Sequence, residues 1–300
     1  MNAAKIVVTG GAGFIGSKVV AKALARGYQV VSLDTSRGSD PDADSRICDI
    51  RSTEALKQNF PEGAVAVIHL AARTSVLESK LDPQGTYETN VAGTHNLLEM
   101  ARLSGVSNFV FASTNAVVGN SETDTIDESN LLAPMTPYGA TKAAAEMLMS
   151  AYQGSYSIST CALRLTNVYG LGMFKKDSIV PRIMRALLGG KPLEIYGDGQ
   201  QWRDFIYASD VVDAFFLALD ANLSGPLTIG AGQSYSVTDI IAAVEAVTER
   251  KVPIVWGAAR DGEMRGVRVA TARANQAGFT PKVNLRDGLR LVWEEFSSQP

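Results

Sequence analysis

Two cysteines and two histidines in 300 residues leave little material for metal or disulfide chemistry. Cys48 and Cys161 lie in apolar or mixed stretches, which fits a reduced compartment and excludes a disulfide scaffold. With only His69 and His95, and no Cys-x-x-Cys pair, no metal site is expected. Long hydrophobic runs are missing too: nothing approaches the roughly 18 apolar residues of a membrane span. The run Lys5-Ile6-Val7-Val8 stops at Thr9-Gly10-Gly11, too short for the core of a signal peptide. Neither sign of charge dominates, with 28 Lys and Arg against 31 Asp and Glu and a formal net charge of −3. That argues against a nucleic-acid surface driven by bulk positive charge. The expectation is a soluble, cytoplasmic protein whose partners are neither membrane nor nucleic acid. At 46% apolar and 20% charged residues the chain is of ordinary globular composition, and its length allows one large domain or two.

The first 165 residues alternate between two kinds of segment. Short β-branched runs at 5–8, 29–33, 65–70, 108–112 and 160–165 are almost continuously apolar, the pattern of parallel strands covered on both faces. Between them, 14–26, 52–59, 90–103 and 138–152 have helix-forming composition. This rhythm predicts an α/β fold, a doubly wound parallel sheet of Rossmann type with helices on both faces. Beyond Gly170 the rhythm changes. Helices are expected at 179–188, 211–219 and 286–296, a strand at 227–229, and a capping box at Ser236-Val237-Thr238-Asp239 opening a helix through Val247. Glycine and proline punctuate this half, which reads as a smaller C-terminal lobe over 171–300. The sheet domain is expected over 1–170, with 204–230 folding back onto it. No internal repeat or linker separates the two.

Gly10-Gly11-Ala12-Gly13-Phe14-Ile15-Gly16 follows the first strand and opens the first helix. Glycines there permit a tight turn and a close approach of backbone to a pyrophosphate, while the helix N-terminus supplies N–H groups and a positive dipole end. The second strand runs out at Asp34, 18 residues past Gly16, where a carboxylate can accept from an adenosine ribose. Its charge would repel a 2′-phosphate, so NAD is favoured over NADP, although Arg37 lies nearby in sequence. A glycine-rich turn with nothing bound is the plainer alternative.

Tyr138-Gly139-Ala140-Thr141-Lys142 stands at the start of a helix, and residues i and i+4 share a face. A free phenol, with a pKa of about 10, is a poor base at pH 7. Lowering it by roughly three units takes about 4 kcal/mol, and one cation about 4 Å away at an effective dielectric near 20 supplies that order of energy. Lys142, helped by an oxidised nicotinamide, is a sufficient partner for a Tyr138 base on this arithmetic. In isolation such a pair is common and reads first as a solvated helix face. The glycine turn upstream tips the balance.

Taken together these residues resemble the extended short-chain dehydrogenase/reductase family, specifically its NAD-dependent nucleotide-sugar epimerases and dehydratases. Gly10–Gly16, Asp34, Asp49-Ile50, His69-Leu70-Ala71-Ala72, Asn90, Ser113-Thr114, Tyr138 with Lys142, Asn167-Val168-Tyr169-Gly170 and Arg203-Asp204-Phe205-Ile206-Tyr207 occur in the family's order over essentially the whole chain. The resemblance implies that Gly10, Gly13, Phe14, Ile15 and Gly16 hold the pyrophosphate of NAD, Asp34 its ribose, and Asp49 and Ile50 its adenine. Leu70, Ala71 and Ala72 lie along the cofactor, with Asn90 nearby and Ser113, Tyr138 and Lys142 completing the set. Thr114 bonds the reacting sugar oxygen, which makes Thr114, Tyr138 and Lys142 the catalytic residues. Asn167 and Arg203 contact the substrate diphosphate, and Tyr196 stacks on its base. Arg260 and Glu263 hold phosphate and ribose from a late segment. The C-terminal lobe is then the nucleotide-sugar-binding lobe.

Plainer roles stand beside several of these: Asp49 as a helix cap, Thr114 as a strand-end hydroxyl, Asn167 as a turn stabiliser, Tyr196 as a packing aromatic, Arg203 as a surface ion pair. His69 reads as a packed histidine, and His95 carries no motif. Three departures or variable positions bear on chemistry. Thr114 is followed by Asn115-Ala116, where the 4,6-dehydratases carry an acidic pair, so dehydration loses its acid and base. Val118 replaces a customary tyrosine, and Val267 leaves room for a bulky sugar 2-substituent. The expected activity is 4-epimerisation of a nucleotide sugar through a transient 4-keto sugar, with the cofactor regenerated. A net dehydrogenase, reductase or decarboxylase on the same site is the alternative, and a non-catalytic dinucleotide sensor the remote one. Broad apolar faces on 90–103 and 138–152 predict a homodimer.

Overall fold

The computed structural model describes residues 3–119, 125–259, 266 and 268–298. Seven parallel strands form the central sheet: in chain order Lys5–Thr9, Gln29–Asp34, Asp44–Ile47, Ala64–His69, Asn108–Thr114, Ser159–Leu165 and Gly225–Ile229. Numbered one to seven, they lie across the sheet as 3-2-1-4-5-6-7, so the winding order switches sides between the first and fourth strands. Open α/β sheets bind ligands at that point, beyond the carboxyl ends of the strands.

Alternation along each strand divides the core in two. Ile6, Val8, Ala66, Ile68, Val110 and Leu163 pack on one face against the helices Gly16–Ala25 and Ala208–Asp220. Val7, Leu33, Val67, Phe109 and Phe111 pack on the other against Thr53–Asn59, Gly93–Leu103 and Pro137–Ser155. Every interior strand is therefore covered twice, and the apolar runs are continuous for that reason.

The strand Asp44–Ile47 was not expected. It sits at one edge of the sheet, its four residues are half-buried or exposed, and the polar sequence Asp-Ser-Arg-Ile carries no core signal. At the opposite edge Gly225–Ile229 pairs in parallel with Ser159–Leu165, with Leu227 opposite Leu163. Its neighbour Ala208–Asp220 lies on the sheet beside Gly16–Ala25, and Lys22 pairs with Asp213 across the two helices.

A third core belongs to the rest of the C-terminal half: Ile183, Ile195, Phe205, Ile240, Val244 and Leu289 meet there, with Phe14 of the glycine turn packed against them. The capping box is present, Ser236 Oγ accepting from Asp239 N–H at 3.0 Å and Asp239 accepting from Ser236 N–H at 2.9 Å. Small sheets complete this lobe. Trp202–Tyr207 lies between Asn167–Tyr169 and Ser234–Ser236, and Leu193–Tyr196 pairs with Ile254–Gly257. Among the described residues no helix is long and apolar enough to cross a membrane.

Candidate active site

A cavity of about 1220 Å³ opens where the strand ends of the sheet face the C-terminal lobe. Its wall takes in Gly10, Gly13, Phe14, Ile15 and Gly16, Asp34, and Leu70 to Ala72 from the sheet side, with Asn167, Tyr196 and Arg203 opposite.

The glycines of the first turn do distinct work. Gly10 has φ +71°, and a side chain there would meet the backbone nitrogen of Ala71 at 2.6 Å. At Gly16 an added Cβ would lie 2.0 Å from the Gly10 carbonyl oxygen, so the helix can start against the turn only with glycine. No side chain caps that helix, whose N-cap is Ile15, and its first turn faces the cavity. Asp34 closes the second strand, its Oδ2 accepting from Ala12 N–H at 3.0 Å and its Oδ1 from Ser36 N–H at 3.2 Å. An uncapped helix end, a glycine cradle and a strand-end carboxylate fit a dinucleotide. Arg37 does not line the cavity.

Asp49 and Ile50 line the cavity with qualifications. Both carboxylate oxygens of Asp49 are taken by Arg51, at 2.6 to 3.0 Å, and this guanidinium holds the carboxyl below its usual range. Ile50 turns its side chain into the core against Gly93, where a Cβ would come within 2.8 Å. Asn90 does not line the cavity itself. It is buried behind the wall, in a single π-helical turn, Glu88–Ala92, that interrupts the helical segment expected over 90–103. Its Oδ1 accepts from Arg73 N–H at 2.8 Å, while its Nδ2 donates to Arg73 C=O and to Thr141 Oγ1. The side chain thus braces the segment after Ala72 against the helix that carries Tyr138.

That helix is set by local rules. Thr136 is its N-cap, Oγ1 accepting from Gly139 N–H at 3.1 Å, and Pro137 stands in the first turn. Gly139 matters beyond the helix: a Cβ there would lie 2.7 Å from the carbonyl oxygen of Ala116. Glycine after Tyr138 lets the helix start press onto the turn that follows Thr114. Tyr138 and Thr114 are hydrogen-bonded as a result. Thr114 Oγ1 also accepts from Ala116 N–H, at 3.2 Å.

Thr114, Tyr138 and Lys142 come together on the cavity wall, but their electrostatics differ from expectation. Burial pushes the Tyr138 phenol up to about 12, against the pull of its Thr114 hydrogen bond. Lys142 is buried outright and lowered to about 7 by desolvation, with Glu146 favouring the ammonium. Its nitrogen donates to Ala112 C=O at 2.9 Å and lies 4.4 Å from the centre of the Phe111 ring. Bringing a phenol from about 12 to 7 requires about 7 kcal/mol, where one cation supplies about 4. Lys142 alone therefore falls short, and the second positive charge expected of an oxidised nicotinamide is needed beside the phenol.

Ser113 lines the cavity, yet its hydroxyl is committed to the Glu146 carboxylate, which Arg164 also grips at 2.8 to 3.2 Å. Asn167 donates to the Asp204 carbonyl at 3.0 Å, and Arg203 donates to the Trp202 carbonyl at 2.7 Å. Tyr196 donates to Glu194 at 2.9 Å and lies against Gly257, where a Cβ would sit 3.1 Å from its ring. Arg260, Glu263 and Val267 fall outside the described residues. Val118 is core, packed with Val117 and Ile126. His69 is fully buried, one ring nitrogen 2.7 Å from Thr9 Oγ1 and the other 2.9 Å from Thr94 Oγ1. His95 packs edge-on against Tyr152.

Two further residues take part around the site. Asp204 is a buried carboxylate accepting from Thr166 Oγ1, Ala231 N–H and Gln233 N–H at 2.8 to 3.1 Å, which ties the Arg203 strand to the loop after the last sheet strand. Lys176 lines the cavity 5.8 Å from the centre of the Phe14 ring. Among the described residues no group of His, Cys, Asp or Glu is arranged to hold a metal ion.

A family model, the NAD dependent epimerase/dehydratase family, matches residues 6–232. The chain belongs to that family. Similar to it is a UDP-glucose 4-epimerase of Lacticaseibacillus casei, 33% identical over 322 residues that cover 98% of this chain and 97% of the relative. The solved structure of Thermotoga maritima UDP-glucose 4-epimerase with UDP-glucose superposes with a TM-score of 0.90 at 32% identity, covering 98% of each chain. Thermus thermophilus UDP-glucose 4-epimerase in complex with NAD gives a TM-score of 0.88 at 32% identity, covering 98% of this chain and 99% of the other. The glycine turn, Asp34, the Tyr138–Lys142 helix and Arg203 all lie inside the stretch that the family model matches.

Proposed function

We propose that the chain is an NAD-dependent nucleotide-sugar 4-epimerase, acting on a UDP-hexose of the UDP-glucose type. One observation carries the reading: Thr114, Tyr138 and Lys142 converge on the same cavity as the uncapped glycine turn. At about 1220 Å³ the cavity exceeds the roughly 300–1,000 Å³ of a site for one small ligand, as a dinucleotide and a nucleotide sugar together require.

In this reading Gly10, Gly13, Phe14, Ile15 and Gly16 hold the pyrophosphate of NAD, Asp34 its ribose, and the stretch from Asp49 to Ile50 its adenine. Bound NAD supplies the acceptor and donor of the C4 hydride and, at its oxidised nicotinamide, the second positive charge the phenol needs. Tyr138 takes the proton of the C4 hydroxyl and returns it to the same oxygen, with Thr114 holding that oxygen in the hydrogen-bonded relay. Lys142 stabilises the phenolate. Asn167 and Arg203 hold the diphosphate and Tyr196 the base, so that the 4-keto hexose turns while its nucleotide stays fixed. The division of labour is cofactor on 1–170 with the returning 204–230, and nucleotide sugar on 171–300. Asn115 and Ala116 line the wall beside Thr114, and neither provides the acid or base that dehydration needs.

We place the enzyme in the cytoplasm as a homodimer. The free thiols of Cys48 and Cys161 support the reduced setting. Met147, Tyr156 and Leu103, exposed on the helix pair Pro137–Ser155 and Gly93–Leu103 and just beyond it, support the pairing. The test is to incubate the purified protein with UDP-glucose without added cofactor, follow UDP-galactose, and identify by mass the dinucleotide released on denaturation. Epimer formation with retained NAD is expected. Stoichiometric consumption of the cofactor would make this a net redox enzyme instead, and sedimentation at several concentrations reads the oligomer.

A further inference from the structure

Three consecutive residues of the strand Asn108–Thr114 each engage one residue of the helix Pro137–Ser155. The Ala112 carbonyl accepts from Lys142, the Ser113 hydroxyl donates to Glu146, and the Thr114 hydroxyl bonds Tyr138. Tyr138, Lys142 and Glu146 are spaced i, i+4, i+8, one face of one helix. Only the first two belong to the chemistry just described. Building on that reading, we propose that Glu146 is a positioning residue of this enzyme: it pins the strand end that holds Lys142 and Tyr138, and its negative charge, shared with Arg164, keeps Lys142 an ammonium.

Burial makes the pairing informative. Glu146 and Arg164 are 9% and 4% exposed, and Lys142 2%. A buried ion pair is poor evidence for stability, because apolar residues of the same volume often serve as well or better. Here the pair is also imperfect, since Arg164 Nη1 has no hydrogen-bond partner. What the carboxylate does achieve is to stand on the Lys142 face of the helix, with Arg164 bonded to it. The charged and titratable groups about Lys142 are Tyr138 and Glu146 on its own helix and His69 from the strand Ala64–His69. Beyond Glu146 come Arg164 from Ser159–Leu165 and, within the field of Arg164, Asp127. His69 is held neutral by burial. Without Glu146, the helix of Lys142 carries no negative charge at all.

Lys142 titrates at about 7, so any further fall removes ammonium at assay pH. Losing the carboxylate should bring that value down by about one, which divides the ammonium fraction well above it by about ten. In the holoenzyme, Glu146→Gln should therefore lower kcat for the UDP-hexose by about tenfold at pH 8 and only about twofold at pH 6. KM should stay within about twofold, the substrate being touched by neither group. Glu146→Asp, which keeps the charge, should restore the wild-type profile. Arg164→Met should act with the opposite sign, raising relative kcat at pH 8, and serves if Glu146→Gln does not fold. A second readout needs no turnover. The folded-state value of Lys142 is depressed below its ordinary 10.5, so stability is lost as pH falls from there toward about 7 and rises as pH climbs through the same window. Measured as urea midpoint against the same chain carrying Lys142→Met, that rise should begin about one pH unit lower in Glu146→Gln. A kcat ratio flat with pH, or an unmoved onset of the stability rise, in whichever variant folds, overturns the proposal. Failure of wild-type protein to turn over any UDP-hexose would instead sink the function itself, with the stability onset still deciding the role of Glu146.

Discussion

The Lys142 ammonium points at the Ala112 carbonyl, 2.9 Å away, and the Tyr138 phenol is tied to Thr114. Each member of the pair is thus held by the same strand end, Asn108–Thr114, before any ligand is considered. The division predicts different defects. Tyr138→Phe removes the proton acceptor and should lower kcat by about 10²–10⁴-fold, the range for a lost general base, with KM changed only a few-fold. Lys142→Met should also raise the pH at which activity appears, because the phenol loses one of its two cations. Initial rates with UDP-glucose from pH 6 to pH 10 separate the two, and near-normal turnover by Tyr138→Phe would remove the tyrosine from the reaction.

Gly16→Ala tests the cradle. Its new methyl would lie 2.0 Å from the Gly10 carbonyl oxygen, and that atom is backbone that cannot rotate away. The helix must back off from the turn, and the pyrophosphate loses the N–H groups at its N-terminus. The variant should purify folded but with well under half the bound NAD of the wild type, read as dinucleotide released per chain by acid. Full occupancy would mean that the cofactor does not rest on this turn.

How much of this could be read from the chain depends on how local each feature is. The interior strands announced themselves because both faces are buried, whereas Asp44–Ile47 is a polar edge strand with no such pattern. The strand expected at 227–229 starts two residues earlier, because Gly225 and Pro226 open the opposite edge strand, a position where proline is tolerated. The glycine turn and the Tyr138–Lys142 spacing were legible since each lies within one element. The hydrogen bonds of Asn90 and Asp49 were illegible for a different reason: the partners that occupy their polar atoms, Arg73 with Thr141 and Arg51, are fixed only by the folded chain. The role of Glu146 depends on Ser113 and Arg164 from two separate strands, which no spacing along the chain reveals. The height of the Tyr138 pKa was missed likewise, burial being a property of the assembled site.

Asp34 should decide which dinucleotide binds. Its carboxylate lies on the cavity wall, and Arg37 does not line that wall to offset the charge. Hydrogen bonds to charged groups contribute about 1.5–3 kcal/mol, so Asp34→Ala should weaken NAD binding by about ten- to hundredfold while improving NADP relative to NAD. Competition of the two dinucleotides for cofactor-stripped protein, followed by fluorescence of the reduced forms, measures the ratio. An unchanged preference would place the ribose elsewhere.

His69 should give the protein an acid-sensitive stability that has nothing to do with catalysis. The ring is fully buried between the hydroxyls of Thr9 and Thr94, stacked on Phe111, and burial together with the nearby Lys142 charge holds its pKa well below 6.5. In the unfolded chain it titrates at about 6.5. The folded-state value is the depressed one, so the stabilisation is complete above 6.5 and is lost as pH falls from there toward the folded value. The slope in that window is about 1.4 kcal/mol per pH unit for one proton. His69→Gln keeps a polar side chain that can reach both threonines but takes up no proton. Urea midpoints between pH 7 and pH 5 should therefore fall more steeply for the wild type than for the variant, and parallel lines would show that this histidine accepts its proton without unfolding the sheet around it.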